Sequence, residues 1–318
     1  MNYKKKVSII LCSYNEASNL PIIIRAIHDN LDQLPYDKEI IIVNDGSSDN
    51  SMEIIDELCK SDSELFYIEF SRNFGHQNAL RAGIDHATGD CIISMDADMQ
   101  HPPEMLPQFI QKWEEGYDIV YTRRLEDKGL SKMKRKSSSL FYKVLNHFSE
   151  IELEDGTADF RLIDKSAKKV ISNIKGGELF MRGLVKWMGF RQYRIDYMPH
   201  QRLYGSTKYT FKKMMNLAVQ GILSFSTKPL HIALYVGFAI AFISLVFMIP
   251  YALISFFFGH PLAGWASMIS IVSFLGGFQL FVLGIIGLYI GQIFNLSKGY
   301  PTYIIRDTNL YQPNNERR

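Results

Sequence analysis

The sequence predicts an α/β chain, with a doubly wound, mostly parallel sheet followed by an amphipathic helix and two membrane-spanning helices. Short apolar runs alternate with segments of helical spacing through the first part of the chain. Polar clusters follow the apolar runs, where turns belong. Charged residues then almost vanish between Pro229 and Asn295.

Taken in order, Val7–Leu11, Ile40–Val43, Phe66–Phe70, Cys91–Met95 and Ile119–Tyr121 read as short buried strands. Between them, Leu20–Leu34, Ser51–Lys60, His76–His86 and Pro103–Gly116 carry helical spacing or helix-start signals. Ser51–Lys60, for example, sets Met52, Ile55 and Cys59 on one face. Strand and helix alternating in this way build a parallel sheet covered on both faces. Ligands of such sheets sit outside the carboxyl ends of the strands. The loops after the strands are therefore the place to look for chemistry.

From Arg123 to Lys136 the chain is strongly basic and reads as a loop, with a helical pattern beginning near Ser137. Tyr209–Ser226 places Phe211, Met214, Met215, Ala218, Ile222 and Phe225 at helical spacing, with Lys212 and Lys213 opposite. Such a helix lies on a membrane surface or packs against the soluble part. Leu230–Phe258 and Trp265–Phe294 contain no Asp, Glu, Lys or Arg. A membrane span needs roughly 20 apolar residues, so both are long enough. Lys208, Lys212, Lys213 and Lys228 precede the pair, Lys298 and Arg306 follow it, and the connecting Gly259–Gly264 has no Lys or Arg. The positive-inside rule then sets both termini in the cytoplasm. Gly287 and Gly291 make one small-x-x-x-small step, a spacing that favours self-association. The chain thus divides into a cytoplasmic α/β domain (1–208), a juxtamembrane helix (209–228), a two-helix hairpin (229–294) and a cytoplasmic tail (295–318).

With 35 Lys and Arg against 33 Asp and Glu, the formal charge is +2, which argues against a nucleic-acid partner. Cys12, Cys59 and Cys91 form no C-x-x-C pair and read as buried free thiols in a reducing compartment. Val7–Leu11 is too short for a signal-peptide core. No G-x-G-x-x-G follows the first strand, so a nicotinamide-dependent oxidoreductase is disfavoured.

The strongest local signal is Asp96-Ala97-Asp98-Met99-Gln100, directly after an apolar run. Two carboxylates one residue apart at a strand end suit a hard divalent cation, with positions left over for phosphate. A solvated turn is the other account of the same residues. Ser13-Tyr14-Asn15-Glu16 and Asn44-Asp45-Gly46-Ser47-Ser48-Asp49 follow the first two strands. One nucleotide could touch all three clusters, with Asp45 accepting from a base or ribose. Asp45-Gly46-Ser47 is equally a tight turn followed by an N-cap, and both accounts can hold together.

With these residues in view, the chain resembles family 2 glycosyltransferases of the GT-A fold. It is most similar to the polyprenyl-phosphate glycosyltransferases, which include dolichyl-phosphate mannose synthase and bacterial GtrB-type enzymes. The resemblance rests on the three clusters above, Ser71-Arg72-Asn73-Phe74-Gly75, Pro102-Pro103-Glu104, Asp159-Phe160-Arg161-Leu162, Arg202 with Gly205-Ser206-Thr207-Lys208, and the terminal helices. It spans nearly the whole chain. The resemblance implies that Asp96, Asp98 and Gln100 hold Mg2+ or Mn2+ against the nucleotide diphosphate. It sets Tyr14, Glu16 and Asp45 near the nucleoside, and Arg202, Ser206 and Lys208 on a segment that closes over the phosphates. Asp98 and Asp159 become the catalytic pair, with Asp159 on the acceptor side, and Arg123, Arg124 and Arg135 hold the lipid phosphate.

The reaction so implied is an inverting hexosyl transfer from a nucleotide sugar, UDP-glucose first among donors, to undecaprenyl phosphate. It implies a multi-pass enzyme of the bacterial inner membrane, acting in cell-envelope glycan synthesis as a homo-oligomer, with a tetramer as one form. A phosphomonoester is largely dianionic at neutral pH, its second pKa being about 6. It needs little help from a base, so Asp159 is expected to orient or to act electrostatically. Cys12 stands where many relatives carry Pro, His76 where Lys is frequent, His101 where Asp is frequent and Ala158 where many have Gly; these leave the donor open. A processive polysaccharide synthase would bring a Q-x-x-R-W motif and more helices, and neither is found. A non-catalytic membrane protein that binds nucleotide sugars is the alternative from another class, to be separated by metal-dependent turnover.

Overall fold

The computed structural model describes residues 4–125, 154, 156–174, 180–200, 226–243, 246, 257 and 265–310. The five expected strands form as β1 (Lys6–Ser13), β2 (Asp37–Asn44), β3 (Leu65–Phe70), β4 (Cys91–Asp96) and β5 (Ile119–Arg124). Three further strands, β6 (Thr157–Asp164), β7 (Gln192–Tyr197) and β8 (Ile305–Thr308), complete an eight-stranded sheet. Its order is β7-β5-β6-β4-β1-β2-β3-β8. The central β3-β2-β1-β4 pairings are parallel, as is β5 with β7, while β6 and β8 run antiparallel to their neighbours.

In β1 consecutive residues Ile9, Ile10 and Leu11 are all fully buried. Continuous rather than alternating burial means that both faces of the sheet are covered. Helices α1 (Leu20–Leu31), α2 (Ser51–Ser61) and α4 (Leu106–Glu114) pack on the face carrying Ile9 and Ile40. Helices α3 (His76–His86), α5 (Lys165–Asn173) and α6 (Met181–Trp187) cover Ile10 and Ile41 on the other. The expected helix at Pro103–Gly116 opens as a 3-10 turn, Pro103–Met105, before α4 begins.

The tail was expected as a separate segment, yet residues 305–308 form the edge strand beside β3. Tyr303 stacks on Phe70 with centroids 5.2 Å apart, and the Tyr67 amide donates to Asn309 Oδ1 at 2.7 Å.

Two apolar helices follow the α/β domain, α7 (Lys228–Ile243) and α8 (Trp265–Ser297). Among the described residues one helix is long and apolar enough to cross a membrane, α8 in its Phe274–Ser297 portion, none of it buried against protein. The first expected span, Leu230–Phe258, coincides with α7 as far as Ile243, and most of the remainder lies outside the described residues. The Tyr289 hydroxyl donates to the Ser226 carbonyl at 2.8 Å. The start of α7 thus lies beside the later part of α8. Of the expected juxtamembrane helix (209–228), residues 209–225 lie outside the described residues and Lys228 already opens α7; the basic loop beyond Leu125 also lies outside them.

Candidate active site

The parallel register brings the predicted loops together. Cys12 pairs with Asp96 and Ser13 with Asn44, so β1, β2 and β4 end level with one another. The loop after β1 is tied to the loop after β2. The Asn15 amide donates to Ser47 Oγ at 2.9 Å, and Asn15 Oδ1 accepts from the Ser48 amide at 2.8 Å. Glu16 accepts from Asn19 Nδ2 at 2.6 Å, and its carbonyl takes the first amide of α1 at 3.2 Å. Tyr14, just ahead of Asn15, is half-buried.

The turn after β2 presses against the loop after β3. Gly46 has φ +63°, and a Cβ there would lie 2.4 Å from the Arg72 carbonyl carbon. Asp45, buried next to it, accepts from Phe74 N at 2.7 Å, Gly75 N at 3.0 Å and Asn73 Nδ2 at 2.9 Å. Burial raises its carboxyl above the usual range, against these donors. Both of its oxygens are engaged by the 73–75 loop, so Asp45 has the structural turn role that was one of its two expected accounts.

At the end of β4, Asp96 is partly exposed and Asp98 is buried. Met99 adopts φ 63°, and the Gln100 amide donates to Asp98 Oδ1 at 3.1 Å. The strand end therefore turns back tightly, holding Asp96, Asp98 and Gln100 at one corner. An all-oxygen set of two carboxylates and one amide suits a hard divalent cation, and these residues fit Mg2+ or Mn2+. Among the described residues, the His and carboxylate ligand atoms that lie within 4.8 Å of one another are those of His28, Asp62 and Glu64, by the amino ends of the strands. They face the Lys38 ammonium, 3.0 Å from Glu64, and have no part in this site.

Asp159, on β6, joins this corner. It is buried, and Arg161 Nη2 and Arg182 Nη2 donate to its two oxygens at 2.9 and 3.0 Å. Gln77 Nε2 donates at 3.1 Å, and His76 Nε2 lies 3.6 Å away. The other ring nitrogen of His76 is 3.5 Å from Asp96. Burial opposes the Asp159 charge, but Arg182, His76 and Arg161 outweigh it and hold the carboxyl well below the ordinary range. Burial likewise opposes the His76 cation, yet Asp96, Cys12 and Asp159 raise it well above the usual imidazole value. A carboxylate so held is a poor proton acceptor, in keeping with an electrostatic role.

The departures from the common pattern meet here. The Cys12 thiol contacts His76, and burial pushes that thiol up. His101 is buried, stacks on Phe160 at 4.9 Å and accepts the Asp96 amide at Nδ1, 2.9 Å away. Nε2 then carries the proton and faces Asp96 Oδ2 at 3.8 Å. Burial lowers its pKa, keeping it neutral.

Of the basic residues expected at the acceptor, Arg124 reaches Gln100 Oε1 at 3.4 Å. Arg123 does not join it. Consecutive strand residues face opposite sides of a sheet, and Arg123 forms a two-pronged pair with Asp196 at 3.0 and 2.6 Å. That pair occupies the Nε–Nη2 edge of a partly exposed guanidinium. Arg135, Arg202, Ser206 and Lys208 lie outside the described residues. Sequence reasoning missed Gln77 and Arg182 altogether. A signal did exist for Arg182: an arginine set in the apolar run Leu179-Phe180-Met181 and Leu184-Val185 demands an anionic partner once buried.

The chain matches the family model described as glycosyl transferase family 2 over residues 8–171. It is 39% identical over 299 residues to YkcC, a glycosyltransferase of Bacillus subtilis (strain 168), covering 94% of this chain and 93% of that protein. It is 37% identical over 301 residues to the bactoprenol glucosyl transferase of Shigella phage SfX, covering 95% of this chain and 99% of that one. A solved structure of glucosyl-3-phosphoglycerate synthase from Mycobacterium tuberculosis, with Mn2+, UDP-glucose and phosphoglyceric acid, superposes with a TM-score of 0.49 at 13% identity. It covers 69% of this chain and 78% of that one.

Proposed function

Because the chain belongs to glycosyl transferase family 2, we propose that it moves glucose from UDP-glucose, with inversion, onto the phosphate of a polyprenyl carrier at the cytoplasmic face of a membrane. The observation that carries this reading is the near-full-length match to a bactoprenol glucosyl transferase. The site supports it by joining the acidic corner of β4 to the cationic surroundings of Asp159 through one histidine.

A divalent cation held by Asp96, Asp98 and Gln100 would neutralise charge building on the leaving diphosphate. The remaining tasks fall to side chains. Tyr14 and Glu16 stand on the loop that would border the nucleoside, and the 73–75 loop, held by Asp45, forms the adjoining wall. The acceptor phosphate is its own nucleophile, so no residue need remove a proton. The obstacle is bringing a dianion beside a diphosphate, and preorganised cations are the usual remedy. Arg124 and the Asp159 cluster supply them. The segment containing Arg202, Ser206 and Lys208 would close over the diphosphate.

The membrane part has a physical purpose in this reading. A polyprenyl chain leaves the bilayer at a cost of about 0.8 kcal/mol per CH2, so the enzyme must meet its headgroup at the surface. Helix α8, with 33 residues, is about 50 Å long, more than the roughly 30 Å hydrocarbon core. The contact between Tyr289 of α8 and Ser226, just ahead of α7, is in keeping with a hairpin that starts and ends on one side. Association into a homo-oligomer through the α8 glycines belongs to the same proposal.

The test is purified full-length enzyme in lipid nanodiscs with undecaprenyl phosphate, Mg2+ or Mn2+, and a panel of radiolabelled nucleotide sugars. Labelled lipid from UDP-glucose is the expected product. Labelled lipid from a different sugar alone would replace the donor, and no lipid product from any donor would reject the reaction.

A further inference from the structure

The loop after β3 is held from two sides. Toward β2, Asp45 takes the Phe74 and Gly75 amides at 2.7 and 3.0 Å, and Gly46 packs against the Arg72 backbone. On the other side the neighbour of β3 is β8, which the chain supplies only after the apolar helix α8. The Ser71 amide donates to the Ile304 carbonyl at 3.0 Å, and Phe70 pairs with Ile305. Glu69 pairs with Asp307, so Arg306 is an extra residue on β8. A bulge of this kind bends a strand locally, and here it falls where β3 gives way to the loop.

Aromatic rings carry the contact inward. The Tyr303 ring lies nearly flat on Phe70, with 5.2 Å between centroids and 14° between planes. Phe70 is buried and meets Phe74 edge-on at 5.7 Å. Phe74 carries the amide that Asp45 accepts, and the Arg72 guanidinium lies 4.0 Å from its ring centre. Tyr303 also meets His86, at the end of α3, edge-on at 6.4 Å, and its hydroxyl donates to Asp85 Oδ2 at 3.4 Å. Helix α3 begins at His76, which stands between Asp96 and Asp159. One tyrosine of the tail therefore bears on both elements that follow β3 into the site, the loop and the helix.

We propose that Tyr303 is a positioning residue for the nucleotide-sugar donor: through Phe70 and Phe74 it braces the 73–75 loop that walls the nucleoside side of the site. Close-packed rings leave their neighbours little room to shift, and removing one opens a space into which the others relax. Asp45 fixes the loop by its amides from one side, and Tyr303 fixes it by its side chains from the other. The inference rests on the proposed donor site and names a residue that shapes it by acting through two others.

The test compares Tyr303→Ala, Tyr303→Leu, Tyr303→Phe and Asp307→Ala with the wild type, all full-length in nanodiscs. It measures calorimetric binding of UDP-glucose and of GDP-mannose in the presence of Mn2+, together with transfer kinetics and melting temperature. The expected result is a donor Kd and a donor KM each raised about fivefold or more in Tyr303→Ala, with the acceptor KM within about twofold of the wild type. Tyr303→Phe keeps the stack and should bind donor as the wild type does. Tyr303→Leu keeps bulk without the stack and should also bind more weakly, which carries the comparison if the alanine variant does not fold. Asp307→Ala removes the acceptor of the Tyr67 hydroxyl, 2.8 Å away toward the other end of β8. It should lower the melting temperature and leave the donor Kd within about twofold. Donor affinity unchanged in Tyr303→Leu, or weakened equally by Asp307→Ala, would mean that the tail serves stability alone and overturns the proposal. A wild type that binds neither nucleotide sugar has no donor site to brace and overturns it too. If donor binding shifts as expected while no protein, the wild type included, forms labelled lipid, the brace stands and the proposed reaction falls.

Discussion

At the residue scale the chemistry turns on which charges can reach a ligand and which are already paired. Asp98 sits buried in the tight turn after β4, next to the partly exposed Asp96. Asp98→Asn keeps the shape and removes the anion, so metal-dependent turnover should fall by about 100-fold or more, read as kcat in a divalent-cation titration. The neighbouring arginines on β5 should behave differently from each other. Arg124→Ala should raise the acceptor KM about five- to tenfold, because Arg124 lies against Gln100. Arg123→Ala removes a partly exposed pair with Asp196 and should change that KM by less than about twofold. Equal effects of the two substitutions would contradict the strand geometry. The acidic corner was legible in sequence because a local pattern, D-x-D-x-Q after an apolar run, encodes both its chemistry and its place. The partners of Arg123 and Asp45, which are Asp196 and residues 73–75, were not legible because they are distant in sequence. No local pattern says that a charge will be spent on a far neighbour.

At the element scale the central strands are held by one buried acid as well as by apolar packing. Glu39 on β2 accepts from Ser8 Oγ of β1 at 2.5 Å and from Thr88 ahead of β4 at 2.6 and 2.8 Å, and pairs with Lys6 at 2.6 Å. Burial opposes its charge, but Lys6, Ser8 and Thr88 outweigh it and hold the carboxyl below the ordinary value. A depressed carboxyl pKa contributes stability above its unfolded value, about 4.3, and loses it as pH falls through the lower folded value. Glu39→Gln should therefore cost about 1–3 kcal/mol at pH 7, measured by urea unfolding. The variant and the wild type should converge in the acid range below about pH 4. A constant gap across pH would show that the charge is immaterial. The strands flanking this unit were less legible. β6 carries Asp159 and Arg161 on a strand, which masks the apolar alternation, and their cost is met only by each other and by Arg182. β8 is four residues long with Arg306 and Asp307 in it. It forms because β3 offers an open edge and Tyr303 a stacking surface.

At the scale of the whole molecule the sheet is joined to the apolar helices at both of their ends. The chain enters α7 from the α/β domain, and after α8 it returns to pair with β3 in a strand that begins eight residues beyond Ser297. In the proposed membrane enzyme such a double attachment would limit how far the active site tilts from the headgroup plane. Leu280 lies in the middle of α8 and is 70% exposed. An arginine near a helix centre costs about 2.5–3.5 kcal/mol on insertion. Leu280→Arg should move enzyme from the membrane to the soluble or degraded fraction, read by fractionation of cells. Undiminished membrane recovery would mean that α8 is not a span.

The alternation of strand and helix, the acidic motif and the uncharged C-terminal stretches were all decided by the sequence. Each depends on spacing over a few residues, and burial periodicity and cation chemistry act at that range. Tertiary structure alone decided which charges meet: Arg123 pairs with Asp196, Asp45 with a neighbouring loop, and Arg182 with Asp159. Pairing of charges is a long-range event, set by the order in which strands meet in the sheet.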